Sequence, residues 1–320
     1  MSDIEIIVGK SGDGMRLELW LPENVPGLSR NKANEMIRKG LIKVNDENGN
    51  KGRKLKAGQK VSITTEKTLT KPKNVGELVV LFENEDVLIV NKPAGMACHP
   101  LRLGENDTLL DWVGERYPEI RSSGPIEREG GLLHRLDTDT SGTVAFARSL
   151  RAYDKLKPLF QEGGVDKHYL AVVSDDGGKV RLPEVGGKGI TINFPLAHHP
   201  SKPERMISVI NCDEYWRGAL MPARTEILTL AKGNGCALVE AKIKKGRMHQ
   251  IRVHLSAIGH PIIGDTTYGT KDNHISRHTL HAYRLIFNIG KTKIDVTAPL
   301  PDDIKKLCEK RQIKSFSDLL

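Results

Sequence analysis

A run of nine residues, 134–142, constrains this chain more than any other stretch, because it sets an acid between an apolar anchor and a turn. It reads His-Arg-Leu-Asp-Thr-Asp-Thr-Ser-Gly. Leu136 is expected to point into the core, and the Thr-Ser-Gly sequence after Asp137 is typical of a tight turn. A carboxylate held in this way is fixed, partly dry and still reachable. That setting suits a nucleophile better than a solvated surface acid.

Arg135 is the cation closest to Asp137 in the sequence. In an extended segment these two side chains share a face, and Leu136 points to the other side. A reacting carboxylate must stay ionised while partly desolvated, which requires a cationic partner. The residues alone leave two hypotheses open: a reacting acid, or a structural Arg–Asp turn whose hydroxyl groups only satisfy the backbone. Asp139 lies beyond the apolar anchor, and we expect it to be solvated.

Short apolar runs separated by turns dominate the chain from residue 77 onward. The predicted strands cover residues 78–82, 87–90, 143–147, 168–173, 225–230 and 236–243. The predicted helices cover residues 150–161 after an N-cap at Ser149, residues 250–258 before Gly259, and a segment that begins at residue 301. Hairpins outnumber regular strand-helix-strand units. The sequence therefore predicts an α+β fold with a largely antiparallel sheet.

Residues 1–66 are predicted to form a small α/β module, which a linker over 67–76 joins to a body spanning 77–320. Ser29 is the expected N-cap of a helix over residues 31–39. Residues 30–73 contain 13 Lys and Arg against 4 Asp and Glu, which accounts for the whole net charge of +9. A basic module on a near-neutral body favours a polyanionic partner, most simply nucleic acid, although a solvated charged face has the same composition.

The composition argues against several classes of protein. The four cysteines are far apart and form no CxxC pair, which disfavours a metal or redox framework. His249 and His254 are five residues apart on the predicted helix and do not share a face, so we predict no metal site there. No apolar run approaches membrane-spanning length, and the N-terminus lacks a signal-peptide core. We expect no cofactor, no metal and no membrane association, and a monomer in the reducing cytoplasm.

The 134–142 run resembles the signature of the RluA family of RNA pseudouridine synthases, in which an HRLDxxTSG pattern carries the catalytic aspartate. Further stretches resemble the family's other motifs in the same order. They are residues 91–100, 167–173, 246–255, 261–269 and 280–285. One motif could arise by chance, but an ordered series over about residues 78–300 is a strong signal. The third motif departs from the family pattern at Met248, where threonine is usual.

The resemblance implies the pseudouridine synthase fold and a C-glycoside isomerisation. In that reaction the bond from uracil N1 to the ribose breaks, the base turns, and carbon 5 is joined to the sugar. By resemblance Asp137 acts at the ribose, either as a nucleophile or by taking a proton from the carbon next to the anomeric one, and both routes stay open. A lone acid fits this chemistry, whereas a glycoside hydrolase requires two carboxylates.

The resemblance also assigns roles to four other residues of the body. Tyr169 would stack on the uracil and remove the carbon 5 proton, with help from nearby cationic charge because a phenol is a weak base at neutral pH. Arg252 would pair with Asp137 and hold it ionised. Arg135 would enter the RNA stack and help to flip the target base out. Leu255 would pack against the uracil pocket.

A second resemblance lies in the N-terminal module. Residues 29–32, 37–40 and 44–45, together with Gly58, resemble the small alpha-L RNA-binding module that is named after a small-subunit ribosomal protein. The chain has Arg-Leu-Glu at 16–18, where Arg-Leu-Asp is common. The resemblance implies that a set of basic residues contacts RNA. These residues are Arg30, Lys32, Arg38 and Lys39.

The leading hypothesis is therefore an RNA uridine isomerase with an N-terminal RNA-binding module. The family combination of these two parts favours large-subunit ribosomal RNA over tRNA as the substrate. Two alternatives remain: a tRNA-directed isomerase with the same chemistry, and a non-catalytic RNA-binding assembly factor that kept the fold. The presence of Asp137, Tyr169 and Arg252 argues against the second alternative.

Overall fold

The computed structural model describes residues 2–25, 28, 30–65, 77–100, 105–210, 215–269 and 271–313. These residues form two compact units. The first contains the described residues up to 65 together with those from 99 to 111, and the second contains the rest. The predicted linker over 67–76 and the predicted N-cap at Ser29 lie outside the described residues. The predicted boundaries, which place 99–111 in the body, stay a prediction.

The first unit is built on a four-stranded antiparallel sheet in the order β1-β4-β2-β3. Its strands and helices are β1 (Ser2–Ile7), α1 (Leu17–Asn24), α2 (Arg30–Arg38), β2 (Ile42–Val44), β3 (Glu47–Asn48) and β4 (Lys60–Thr65). The predicted helix over 31–39 is confirmed as α2, and Gly40 follows it in the left-handed region at φ +68°. Helix α1 contains Pro22 and was not predicted. Its Leu17 and Trp20 are fully buried in the core of this unit.

Most of the described strands lie in the second unit. They are β5 (Val79–Glu83), β6 (Val87–Lys92), β7 (Ser141–Ala147), β8 (Asp166–Ser174), β9 (Ile190–Ile192), β10 (Leu196–His198), β11 (Met206–Ser208), β12 (Arg217–Met221), β13 (Thr225–Gly233), β14 (Cys236–Ile243), β15 (His281–Ile289) and β16 (Thr292–Thr297). The remaining α-helices are α3 (Leu109–Arg116), α4 (Leu150–Glu162), α5 (Gln250–Ala257) and α6 (Asp302–Lys310). Two short 3-10 helices span Lys10–Gly12 and Pro118–Ser122.

A nine-stranded sheet forms the centre of this unit, in the order β5-β6-β7-β15-β8-β14-β13-β9, with β16 paired to β15. Among the strand pairs described for this sheet, β7 and β15 run parallel and the others are antiparallel. The predicted α+β class with a largely antiparallel sheet is therefore confirmed. No helix in the described ranges is long and apolar enough to cross a membrane.

Helix α4 shows how local sequence sets an element that supports the sheet. The Ser149 hydroxyl accepts a hydrogen bond from the Ala152 amide at 3.1 Å, and Gly163 ends the helix at φ +91°. Leu156 and Phe160 lie on its inner face and pack into the same apolar cluster as residues of β6 and β7. This cluster backs the sheet directly behind β7, which is buried along its whole length.

Candidate active site

Asp137 lies in the irregular segment that leads into β7. Its side chain is 25% exposed, while Leu136 is buried and Arg135 is exposed. The predicted alternation of this segment is therefore confirmed. Asp139 is exposed, as predicted. The Thr140 amide donates to the Asp137 carbonyl at 3.1 Å, which closes the turn immediately before the strand.

A buried lysine holds the turn after Asp137 in place. Lys92, at the end of β6, is fully buried, and its ammonium donates to three carbonyl oxygens: Pro93 at 2.9 Å, Met96 at 2.7 Å and Thr138 at 2.8 Å. Burial lowers the pKa of Lys92 to about 8. The bond to Thr138 ties the residue after Asp137 to the end of β6. The family motif at 91–100 contains Lys92, but nothing in the sequence assigned it this role.

Two further contacts set the shape of the Asp137 segment. The Cys98 sulfur accepts from the Leu136 amide at 3.3 Å and donates to the Leu136 carbonyl at 3.5 Å. Gly142 has φ +118°, and a Cβ atom there would lie 2.1 Å from the Ala282 carbonyl oxygen of β15. The glycine of the Thr-Ser-Gly turn is therefore required by the close parallel approach of β7 and β15.

Arg252 joins two carboxylates. Its Nη1 donates to Asp137 Oδ2 at 2.9 Å, which confirms the predicted pair. Its Nε and Nη2 donate to Asp265 at 2.7 and 2.9 Å, in the bidentate geometry that suits a guanidinium. The Arg252 side chain is 8% exposed. Burial alone would lower the pKa of Arg252, but its bonds to Asp265 and the charge of Asp137 outweigh burial and raise it.

Asp265 positions the arginine, and no sequence prediction named it. Its side chain is fully buried, and its Oδ1 also accepts the amides of Thr267 at 2.9 Å and Tyr268 at 3.1 Å. Burial would raise the pKa of Asp265, but the bonds from Arg252 and these amides keep it low. The signal in the sequence was the acid that ends the apolar run at 261–265, within a motif already matched to the family.

Tyr169 lies on β8 with 7% of its surface exposed. Burial, and then the charge of Asp137, raise the pKa of Tyr169 well above its usual range. The phenol is therefore protonated at neutral pH. The family resemblance implies a nearby cation that lowers this pKa. The pKa is instead shifted by burial and by the charges of Asp137 and Cys98, all of which raise it.

His249 and Tyr268 also lie around Asp137, and neither had a predicted role. His249 Nε2 lies 3.7 Å from Asp137 Oδ2, and its Nδ1 lies 2.8 Å from the Tyr268 hydroxyl. The Tyr268 ring centroid lies 5.1 Å from the Arg252 guanidinium carbon. The expectation that His249 shares a helix with His254 is wrong, because His249 precedes α5 with a left-handed backbone at φ +54°.

The structure brings Asp137 and Arg252 into contact and places Tyr169 within range of the Asp137 charge. Leu255 is fully buried on α5. The predicted RNA contacts of the module all lie on α2 in the first unit, where Arg30, Arg38 and Lys39 are exposed and Lys32 is half-buried. In the described ranges, no group of three His, Cys, Asp or Glu side chains is placed to hold a metal ion.

Comparison with solved structures identifies the fold. The chain superposes on human RNA pseudouridylate synthase domain containing 1 with a TM-score of 0.56 and 24% identity, covering 77% of this chain and 98% of that one. A second human protein of this kind, domain containing 4, gives a TM-score of 0.56 at 21% identity, covering 74% and 94%. At these identities the likeness establishes the class of fold alone.

Sequence comparison identifies the family. The model of RNA pseudouridylate synthase matches residues 86–257, more than half of the chain. An RNA pseudouridine synthase of Aquifex aeolicus is 33% identical over 276 residues, covering 84% of this chain and 81% of that protein. The ribosomal large subunit pseudouridine synthase D of Nitrosomonas europaea is 30% identical, covering 96% and 87%. The chain belongs to the RNA pseudouridylate synthase family and is an isomerase that acts on RNA.

Proposed function

We propose that this chain converts specific uridines of large-subunit ribosomal RNA to pseudouridine, with Asp137 acting at the ribose. The observation that carries the proposal is that the two carboxylate oxygens of Asp137 differ in their hydrogen bonds. Oδ2 accepts the Arg252 bond at 2.9 Å, and no residue in the described part of the chain hydrogen-bonds Oδ1. One oxygen is thus held, and the other is available to a substrate at a partly exposed site.

The relatives support ribosomal RNA as the substrate. Proteins named ribosomal large subunit pseudouridine synthase D, from Nitrosomonas europaea and Haemophilus influenzae, are 30% identical to this chain over more than nine-tenths of its length. The exposed basic residues of α2 fit a phosphate backbone. A tRNA substrate, or RNA binding without catalysis, is the alternative outcome of the experiment below.

The proposed reaction begins at the ribose. Asp137 either attacks the anomeric carbon, which forms an ester and releases the uracil through N1, or takes the proton from the neighbouring carbon 2′. The base then turns, and carbon 5 bonds to the anomeric carbon. In the first route this bond displaces Asp137 and breaks the ester; in the second route Asp137 returns its proton to carbon 2′. The carbon 5 proton then leaves, and N1 takes up a proton. Arg252 would orient the Asp137 carboxylate and stabilise its negative charge before it reacts, because Asp265 holds the guanidinium in a fixed plane. Leu255 would pack against the uracil pocket, and Arg135 would help to flip the base out.

Release of tritium from RNA labelled at uracil carbon 5 tests this function. We expect the purified protein to release tritium from a large-subunit ribosomal RNA transcript and not from tRNA. Tritium release from tRNA alone would instead favour a tRNA-directed isomerase. Tight binding without release from any cellular RNA would favour the assembly factor. We also propose that the protein is a monomer, which light scattering of the same preparation tests. We place it in the cytoplasm because its buried Cys98, Cys236 and Cys308 are free thiols.

Tyr169→Phe separates the ring of Tyr169 from its hydroxyl. We propose that the ring stacks on the uracil and that the phenol oxygen, after giving up its own proton, removes the carbon 5 proton. The variant keeps the ring, so RNA affinity should stay within a few-fold of the wild type. Tritium release under single-turnover conditions should fall by about 10²- to 10⁴-fold, the usual contribution of a general base. Tritium release at the wild-type rate would contradict a role for the hydroxyl in removing the carbon 5 proton.

The basic face of α2 should contribute to the salt dependence of RNA binding. Arg30 and Arg38 are exposed, and their replacement by Gln removes two positive charges. If both contact phosphates, the slope of log affinity against log salt should become shallower by about 1.4–1.8. Filter binding over a salt series measures the slope. Replacing Lys305 and Lys306 of α6 by Gln removes the same charge from the other unit and serves as the control. Equal slopes for wild type and the α2 variant would contradict the proposal.

A further inference from the structure

His249 is a half-buried imidazole beside Asp137 that the proposed reaction does not use. We infer that it is a positioning residue, held in one tautomer by Tyr268 and the backbone of Met206, with its Nε2–H directed at Asp137. The inference rests on the proposed function of Asp137. It identifies a second donor for the carboxylate oxygen that Arg252 already holds.

The tautomer follows from the contacts of the Tyr268 hydroxyl. That oxygen accepts the Met206 amide of β11 at 2.8 Å and lies 2.8 Å from His249 Nδ1. If Nδ1 carried the proton, the hydroxyl would accept from both neighbours, and no contact of this hydroxyl with another described residue would accept its own proton. The favoured arrangement is donation from the hydroxyl to Nδ1. Burial lowers the pKa of His249, which favours the neutral ring. A neutral imidazole with an accepting Nδ1 carries its proton on Nε2.

The Nε2 proton faces the reacting carboxylate. Nε2 lies 3.7 Å from Asp137 Oδ2, the same oxygen that Arg252 binds at 2.9 Å. This separation exceeds a hydrogen bond, but catalytic contacts often tighten only when the substrate binds. Two donors on Oδ2 fix the rotation of the carboxylate and leave Oδ1 for the ribose. They also stabilise the negative charge that Asp137 carries before and after it reacts.

The backbone of His249 is the second, independent observation. Its φ of +54° and ψ of 16° lie in the left-handed region, which a residue with a Cβ rarely adopts. Such strain persists where the surrounding structure imposes it, and it concentrates at functional sites. His249 immediately precedes α5, yet its side chain makes no capping hydrogen bond to the helix. The side chain therefore does not act as a helix cap, and its Nε2 lies toward Asp137 instead.

Two variants test the inference. His249→Gly suits the left-handed backbone and leaves space for an added imidazole. Tyr268→Phe keeps the ring over Arg252 and removes the hydroxyl that orients His249. We expect the single-turnover rate of tritium release to fall on the order of 10- to 100-fold in His249→Gly, and about tenfold in Tyr268→Phe. RNA affinity should stay within about twofold, and imidazole should restore part of the rate in His249→Gly only.

Tyr283→Phe is the matched control. It also removes a half-buried phenol hydroxyl, one that donates to Glu240 and not to His249 or Asp137, and its rate should equal that of the wild type. Thermal unfolding of each variant checks that the fold is kept. If the wild type is active and His249→Gly releases tritium at the same rate, the inference about His249 is overturned and the proposed function stands. A slower His249→Gly without imidazole rescue, beside an unaffected Tyr268→Phe, would also overturn it. No release by the wild type would instead reject the proposed function.

Discussion

Asp137→Asn is expected to abolish isomerisation while leaving RNA binding within a few-fold of the wild type. The amide has the shape of the carboxylate but no negative charge, so it neither attacks the anomeric carbon nor takes a proton. Its oxygen can still accept the Arg252 bond, which preserves the local structure. Single-turnover tritium release should fall by about 10⁴-fold or more, the scale of loss seen when a nucleophile is removed.

Asp139→Asn is the matched control for this variant. Asp139 lies two residues away in the same segment, and it is exposed, whereas Asp137 is partly buried against Arg252. Its replacement changes the net charge by the same amount and should leave turnover near the wild-type value. Turnover of Asp137→Asn within tenfold of the wild type would reject Asp137 as the reacting group. Equal losses in the two variants would point to charge rather than to chemistry.

Arg252→Met should produce the largest loss of stability among the site variants, as well as a loss of turnover. It leaves the fully buried carboxylate of Asp265 without its bidentate partner and Asp137 without its nearest cation. Breaking a buried ion pair on one side costs about 3–5 kcal/mol. Urea unfolding at pH 7 measures the change in the free energy of unfolding. The control is Arg284→Met, which breaks a bidentate pair with Asp295 on a side chain that is 39% exposed. That change should cost only about 1 kcal/mol or less.

The pH dependence of this stability difference has a definite sign. In the wild type the pKa of Asp265 is lowered, so the pair stabilises the folded state above the pKa of a free aspartate, about 3.9. That contribution is lost as the pH falls through the lowered pKa. In Arg252→Met, Asp265 is uncompensated at neutral pH but can be buried as a neutral acid at low pH. The gap between wild type and variant should therefore narrow on acidification. Equal losses for Arg252→Met and Arg284→Met at pH 7 would contradict this description of the pair.

Elements with a simple local pattern are the ones that the sequence predicted well. The seven buried residues of β7, the hairpin of β13 and β14, and the capped helix α4 each carry their own signal in consecutive residues. The short strands β10, β11 and β12 were not predicted, because strands of three to five residues show too little alternation. Helix α1 was not predicted, and it contains Pro22, which is unfavourable inside a helix. Burial of Leu17 and Trp20 outweighs that local signal.

The candidate site divides in the same way. The family motifs identified Asp137 and Arg252, and their contact follows from chemistry once the fold brings them together. Lys92 and Asp265 were not predicted because their roles depend on full burial, which is unusual for charged residues and leaves no periodic trace. The role of His249 depends on a left-handed backbone and on two hydrogen bonds of Tyr268. Tyr268 is 19 positions from His249 and 62 positions from Met206. Only the assembled fold reveals such a chain.

The most direct test of the central claim is a map of pseudouridines in large-subunit ribosomal RNA from cells that lack this protein. The map is compared after the wild type or Asp137→Asn is restored at equal abundance. One or more pseudouridines should disappear in the deletion, return with the wild type, and stay absent with Asp137→Asn. An unchanged map would contradict ribosomal RNA as the substrate. Return of the modification with Asp137→Asn would contradict the proposal that Asp137 performs the chemistry.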